Sequence, residues 1–417
     1  MTATLTAGAQ VWIYDARVGT LQRDPSGAIR FTPERAWLEG GQHPPLGFGM
    51  LAKPGVRVGR TGLPPWFENL LPEQDGALRR MICRSLGLRT NDSAALLVAL
   101  GDDLPGAVRV VGDGFEDPGG VPAELEGEAE VPSSALKISL AGLQLKLSMS
   151  LEGDRLVLPV SGGVGRWIVK IPGAQFPELP EIEAATMSWA RAMGLSVPRI
   201  LVVRTEEVQG VSARIMEHSP TVFAIERFDR LDDGRVHQED LAQSFELPPT
   251  CKYGDCSELR SRGKIRYSGV AKLIGDLCGD TGRDDFLDRL AFVIASGNGD
   301  AHLKNWSLQW SHEHRPRLSP CYDMVATVSW PEHDRSLALE LVRGVSAFAS
   351  IDRTALRRFV EAANIEHGEE RVITALQRAR SSWSQVAQDA PERMRAALTA
   401  HWQDVPLLRE LGGLVDE

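Results

Sequence analysis

Past residue 134 the hydrophobic period is mainly that of strands before Glu239 and that of helices after it, which restricts this stretch to a strand-built part followed by a helix-built part. Before it, Ala135 to Leu151 and Leu156 to Pro172 read as β-rich, and Trp167-Ile-Val-Lys-Ile171 reads as a half-buried strand carrying one lysine. Ile182, Ala185, Met187, Trp189 and Met193 recur near helical spacing from Glu181 to Met193, and Gly194 and Pro198 end that helix. Ile200 to Arg204 and Ala213 to Met216 are then read as further strands. Beyond Glu239, helical patterns take over at Val270 to Cys278, Asp285 to Ser296, Ala355 to Ala363, Glu370 to Val386 and Glu392 to Trp402. They are interrupted near residue 300 and over Leu318 to Trp330. The expected class is α+β, with a β-rich lobe, a helical lobe and a cleft between them.

Ahead of these lobes, Val11 to Ile29 alternates apolar and polar residues and breaks at Asp24-Pro-Ser-Gly27, as strands joined by a tight turn do. Leu70-Leu71-Pro-Glu73, Ala77 to Leu86 and Ser93 to Leu100 have helical spacing, with Gly87 as a stop and Asn91 or Asp92 as a fresh N-cap. From Gly112 to Ser134 there are seven acids and no Lys or Arg, the composition of a solvated linker. The organisation expected is a small α+β unit at 1–111, an acidic linker at 112–134, a β-rich nucleotide-binding lobe at 135–236 and a helical catalytic lobe at 237–417.

Fifty-six acids against 46 bases give a net charge of −10, which excludes a chain drawn onto nucleic acid by its overall field. The apolar runs Ala94 to Leu100 and Leu290 to Ala295 are far shorter than the ~20 residues a membrane helix needs. The opening Met-Thr-Ala-Thr-Leu-Thr-Ala-Gly lacks a basic segment followed by an apolar one, so a cytoplasmic location is expected, with no membrane partner. The five cysteines, Cys83, Cys251, Cys256, Cys278 and Cys321, are odd in number and scattered, and are expected to be reduced. Cys251 and Cys256 flank Lys-Tyr-Gly-Asp, which reads as a surface loop rather than a zinc site, because no second ligand pair stands at metal spacing.

The chemistry concentrates in Gly297-Asn-Gly-Asp-Ala-His-Leu-Lys-Asn-Trp306, a polar insert directly after an apolar helix. Asp300 and Asn305 stand in the relation D-x-x-x-x-N, the spacing with which kinases pair a catalytic base and a metal-holding amide. A helix-capping Asx turn would give the same letters. Tyr322-Asp323 follows at the end of an apolar segment, and Asn305 with Asp323 would supply the one or two hard oxygen ligands that Mg²⁺ takes beside nucleotide phosphates. Upstream, Lys170 lies on a strand shortly before the helix bearing Glu183, the arrangement of the ion pair that orders nucleotide phosphates. Ser139-Leu-Ala-Gly-Leu-Gln-Leu-Lys146 places a glycine, an amide and a lysine between strands, a turn that could cover phosphates.

In this order, the sequence resembles the HipA family of bacterial Ser/Thr kinases, the toxin halves of HipA–HipB toxin–antitoxin pairs. The matching stretches are Ser139 to Lys146, Ile168-Val-Lys-Ile-Pro172, Glu226-Arg-Phe-Asp-Arg230, His237-Gln-Glu-Asp-Leu-Ala-Gln243, Gly299-Asp-Ala-His-Leu-Lys-Asn305 and Tyr322-Asp323, with Phe67-Glu-Asn-Leu-Leu-Pro-Glu73 in the first unit. The resemblance implies a protein-kinase-like fold using ATP and Mg²⁺, with Asp300 as catalytic base and Asn305 and Asp323 holding the metal. It implies that Ala141, Gly142, Leu143, Gln144, Leu145 and Lys146 cover the phosphates and that Lys170, with Glu183, serves them. Glu226, Arg227 and Phe228 would form the adenine hinge, and His302, Lys304 and Tyr322 would line the nucleotide site. Ser139 would be an inhibitory autophosphorylation site. The implied partners are a HipB-like antitoxin, through it operator DNA, and a protein substrate such as an aminoacyl-tRNA synthetase, whose phosphorylation arrests translation and growth. One departure is Gly299, where the family often has Thr and where glycine would loosen the loop.

His237 to Asp240 reads as a capping and interlobe motif, and Trp12, Trp167, Trp189, Trp306 and Trp402 as core packing. The arginines of 353–358 and 371–380 read as solvated helix faces before any DNA contact. Two other readings remain: a small-molecule phosphotransferase, which could share the D-x4-N loop, and a catalytically idle scaffold binding antitoxin and DNA. The serine of the phosphate-covering loop favours an enzyme that accepts peptide hydroxyls.

Overall fold

The computed structural model describes residues 8–24, 26–40, 46–59, 62–112, 145–153, 155–158, 165–173, 175–260, 263–310 and 315–414. Ser139 and Ala141 to Gln144 lie outside them, as does the whole acidic segment 113–134. The chain forms two compact units. One comprises Met1–Ala174, Val203–Pro249 and Gln309–His314, the other Gln175–Val202, Thr250–Leu308 and Arg315–Glu417.

The first unit holds two large sheets and a two-stranded ribbon of Arg230–Leu231 with Gly234–Arg235. Strands β1 (Gly8–Ile13), β2 (Ala16–Arg23), β3 (Ile29–Pro33), β4 (Arg57–Gly59) and β5 (Val108–Gly112) form an antiparallel sheet in the order β4-β3-β2-β1-β5. The β2–β3 turn is the one expected: Asp24 Oδ1 accepts the amides of Ser26 (2.9 Å) and Ala28 (3.1 Å), and Gly27 takes φ 86°. Ala77–Leu86 ends at Gly87, left-handed at φ 66°, and Asp92 caps Ser93–Ala99. Leu70 and Leu71 fall in a buried turn after the short helix Pro65–Glu68, because Pro72 cannot donate the amide a continued helix needs.

The second sheet contains β6 (Leu145–Glu152), β7 (Arg155–Val157), β8 (Trp167–Ile171), β9 (Ile200–Arg204), β10 (Val208–Gln209) and β11 (Thr221–Glu226), in the order β10-β7-β6-β8-β11-β9. Leu147, Met149, Trp167, Val169 and Ile171 make its apolar face, while Lys146, Ser148, Lys170 and Phe223 share the other. Ala213–Met216, expected as a strand, is a short helix: the Ile215 amide turns back to the Ser212 carbonyl at 3.0 Å.

A buried four-charge network joins the two sheets. Arg227 donates to Asp103 (2.9 Å) and to both oxygens of Asp229 (3.0 Å each), and Arg230 bonds Asp103 (2.9 Å), Asp229 (2.8 Å) and the carbonyls of Leu104 and Gly106. The Gly106 amide completes it on Asp229 at 2.8 Å. Burial alone would raise the Asp229 carboxyl, but Arg227 and Arg230 hold it well below the usual carboxylate range. His237–Asp240 packs in the same unit, with Glu239 accepting the Gly47 amide (2.8 Å) and Asp240 forming a capping box with Gln243.

The second unit is helical. Tyr267–Ala295 covers both helical segments expected there, with Gly279 outside helical geometry at φ 71°. Around it pack Leu179–Ala192, Arg353–Ala363, Gly368–Ser382 and Glu392–Asp404. Trp189 stacks edge-on with Phe292 and Trp383 and donates to the Ala379 carbonyl at 2.8 Å. Trp402 donates to the Ala295 carbonyl at 2.9 Å, so the end of the long helix is fixed where the polar insert begins. Trp167, Trp189, Trp306 and Trp402 are buried as expected, and Trp12 is half-buried. The arginine-rich faces are ion-paired: Arg353 and Arg357 with Glu369, and Arg371 and Arg378 with Asp288. Among the described residues no helix is long and apolar enough to cross a membrane.

Candidate active site

In the helical unit the insert is pinned at Ala301, whose carbonyl accepts from the Tyr267 hydroxyl (2.7 Å) and the Trp306 indole (3.0 Å). The Asp300 amide donates to Asn298 Oδ1 at 3.0 Å, and Asn305 Nδ2 donates to the Asp300 carbonyl at 2.8 Å. Asn305 is thereby clamped to the loop, leaving its amide oxygen as the atom that can face a cation. Tyr322 is fixed by its hydroxyl, 2.9 Å from the Lys304 carbonyl and 2.6 Å from Ser307 Oγ, and the next residue, Asp323, sits at φ 53°. That left-handed conformation is uncommon outside glycine and characteristic of strained functional positions.

Burial raises the Asp300 carboxyl above its ordinary value; Lys252 and the Tyr253 hydroxyl, 3.1 Å from Oδ1, oppose it, and the Asp323 charge adds to it. A buried, raised carboxylate is a competent proton acceptor. Burial also drives His302 down to about 3, so the ring is neutral near pH 7, and its buried Nδ1 has no hydrogen-bond partner among the described residues. Asp300, His302, Lys304, Asn305, Tyr322 and Asp323 are thus gathered in one unit, and the hard oxygens of Asn305 and Asp323 fit a magnesium ion. Glu183 is buried in the same unit, on Leu179–Ala192.

Gly299 is held rather than loose. Its amide donates to Thr327 Oγ1 at 2.8 Å, and a Cβ there would lie 2.7 Å from the Ser336 carbonyl oxygen, so the residue is glycine for lack of room.

In the sheet unit, Lys146 and Lys170 are direct cross-strand partners, both buried, and Lys170 Nζ lies 5.3 Å from the Phe223 ring centre. Leu145 begins the Lys146 strand. Glu226 pairs with Arg166 at 3.3 Å. The Arg227 guanidinium is taken up by Asp103 and Asp229, so what this residue offers a hinge is backbone, and Phe228 next to it is half-buried.

Two features escaped the sequence reading. Lys252 and Tyr253 border Asp300, and Cys251 and Cys256, expected as reduced thiols, form a disulfide around them. Gly254, at φ 70°, turns the chain so that its amide meets the Cys251 carbonyl at 2.9 Å and the two Cα atoms stand 5.3 Å apart, within disulfide reach. The spacing C-x4-C was the available signal; counting thiols over the whole chain obscured it.

A sheet with two buried lysines and a helical unit with a D-x4-N loop and a second aspartate define an α+β, kinase-like fold. This chain belongs to the HipA family: a HipA N-terminal domain matches residues 9–111 and a HipA-like C-terminal domain matches residues 138–394. Y4dM of Sinorhizobium fredii is 33% identical over 415 residues, 97% of this chain and 95% of that protein. The Shewanella oneidensis protein named serine/threonine-protein kinase toxin HipA is 24% identical over 383 residues, covering 82% of this chain and 80% of its own. A solved Shewanella oneidensis MR-1 complex of HipA, HipB and operator DNA matches with a TM-score of 0.71 at 19% identity, over 97% of this chain and 99% of that one.

Proposed function

We propose that this chain is an ATP-dependent Ser/Thr protein kinase of the HipA toxin type. The observation that carries the reading is the gathering of Asp300, Asn305 and Asp323 around one clamped loop. Asp300 accepts the proton of an incoming serine hydroxyl, whose oxygen bonds the γ-phosphorus as the bond to ADP breaks. Mg²⁺ held by Asn305 and Asp323 would neutralise the phosphate charge, and Lys146 and Lys170 would serve the phosphates in this reading. Glu183, Glu226, Arg227, Phe228, His302, Lys304 and Tyr322 complete the nucleotide site in this reading, with the loop Ala141 to Lys146 over the phosphates and Ser139 as a self-inhibitory phosphosite. The substrate proposed is a serine of an aminoacyl-tRNA synthetase, with arrest of translation and growth as the outcome. The partners proposed are a HipB-like antitoxin and operator DNA, in the cytoplasm; the family membership and the name of the Shewanella relative support them.

Purified protein incubated with Mg·ATP and cell extract, followed by phosphosite mapping, tests the reading. A new phosphoserine on a cellular protein, lost in Asp300→Asn by about 10²- to 10⁴-fold in rate, is the expected result. Phosphate appearing only on small molecules, or undiminished transfer by Asp300→Asn, would refute it.

A further inference from the structure

The Cys251–Cys256 ring stands against the catalytic loop of the same unit by two independent contacts. The Leu303 amide donates to the Lys252 carbonyl at 3.0 Å, and the Tyr253 hydroxyl donates to Asp300 Oδ1 at 3.1 Å. The Tyr253 ring meets His302 edge-on at 5.4 Å. Two further contacts run from the ring to the chain beyond it: Asp255 pairs with Lys264 at 2.6 Å, and the Gly254 carbonyl accepts the Ile265 amide at 2.9 Å. Tyr253 nevertheless remains 47% exposed, so an exposed hydroxyl reaches over a largely buried carboxylate.

An acceptor serine must bring its own hydroxyl to that carboxylate before phosphate can move. We propose that Tyr253 is a gate on the acceptor position: its phenol stands in for the acceptor hydroxyl on Asp300, the Cys251–Cys256 disulfide holds it there, and reduction releases it. This rests on the reading of Asp300 as the acceptor's base. Disulfides in reducing compartments are commonly redox-sensing rather than structural, and this one closes a loop of six residues whose centre touches the base. Opening consumes one dithiol: its thiolate attacks one cysteine sulfur, the resulting mixed disulfide is displaced by its second thiol, and two protons and two electrons pass to the cysteines as the reductant becomes a disulfide.

The test uses the full-length protein, ATP and a degenerate nonapeptide mixture with serine at the centre, with and without dithiothreitol. Losing a single hydrogen bond predicts that dithiothreitol lowers the KM for peptide by about 2- to 10-fold, with the KM for ATP the same. Tyr253→Phe, which keeps the ring against His302, should show the lowered peptide KM under both conditions and no response to dithiothreitol. Cys251→Ser with Cys256→Ser should match reduced wild type. A peptide KM equal in wild type and Tyr253→Phe without dithiothreitol, a dithiothreitol response that persists in Tyr253→Phe, or phosphate deposited on Tyr253 itself would each overturn the gate while kinase activity stands. Absence of any transfer by wild type would overturn both the gate and the reading beneath it.

Discussion

Lys146 on β6 faces Lys170 on β8 as its direct antiparallel partner, and each side chain is 4% exposed. The proposed function puts both lysines on the ATP phosphates, where each contact would be a charge-assisted hydrogen bond. Lys170→Met should therefore weaken ATP binding by about 10- to 100-fold, the worth of a hydrogen bond to a charged group. Calorimetric titration with ATP checks it, and an unchanged affinity would remove Lys170 from the nucleotide site.

Asp103 accepts from both Arg227 and Arg230 inside the first unit. Removing one partner of a buried network leaves charge uncompensated, and Asp103→Ala should cost about 3–5 kcal/mol of unfolding free energy. Urea denaturation measures it, and a loss under about 1 kcal/mol would show that water replaces the carboxylate.

The two-part architecture was legible because a change in hydrophobic period survives any tertiary detail. The nearness of Asp300, Asn305 and Asp323 was legible because polar groups that break off an apolar helix stand out from the packing pattern. The side-chain role of Arg227 was not legible: nothing in Glu226-Arg-Phe-Asp-Arg230 says that its guanidinium turns to Asp103, 124 residues away in sequence. The same blindness applied to Tyr253, whose meaning lies in a contact with Asp300 across 47 residues. Short spacing carries motifs, and long-range partners appear only when the chain is folded.

His401 is buried, its Nε2 2.8 Å from the Ile294 carbonyl and its ring edge-on to Phe348, and burial drives it down to about 4 from an ordinary value of 6.5. The unfolded chain thus binds a proton between these values that the folded chain refuses. Stability from this residue is complete above pH 6.5 and falls as the pH drops toward 4, by about 2 kcal/mol at pH 5. In His401→Gln the difference in urea stability between pH 7 and pH 5 should shrink by about that amount, whatever the variant's absolute stability. An unchanged difference would assign the acid sensitivity to other groups.

Asp323 holds a left-handed backbone that asparagine also tolerates, so Asp323→Asn separates charge from conformation. Nucleotide binding in this variant should need several-fold more Mg²⁺, while the melting temperature shifts by no more than a few degrees, consistent with a surface-like change of about 1 kcal/mol or less. Titration of a fluorescent ATP analogue across magnesium concentrations checks it, and an unaltered magnesium requirement would remove Asp323 from the metal site.

Gly299 precedes Asp300, the proposed base, and the space beside it is closed: a Cβ would sit 2.7 Å from the Ser336 carbonyl oxygen and 3.2 Å from Thr327 Oγ1. A carbonyl cannot swing aside as a flexible side-chain end does, so Gly299→Thr must move the loop, and Asp300 with it. Displacement of a base by a fraction of an ångström acts on the transfer step, where a 1 Å error costs on the order of 10²-fold, while the lysines of the sheet unit are untouched. The expected outcome is a fall in the single-turnover rate of about 10- to 100-fold with ATP affinity changed less than about threefold. Equal losses in both, measured by quench-flow and calorimetry, would mean that the substitution disturbs the unit as a whole; no loss in either would mean that the Ser336 segment yields and that Gly299 sets nothing about the position of Asp300.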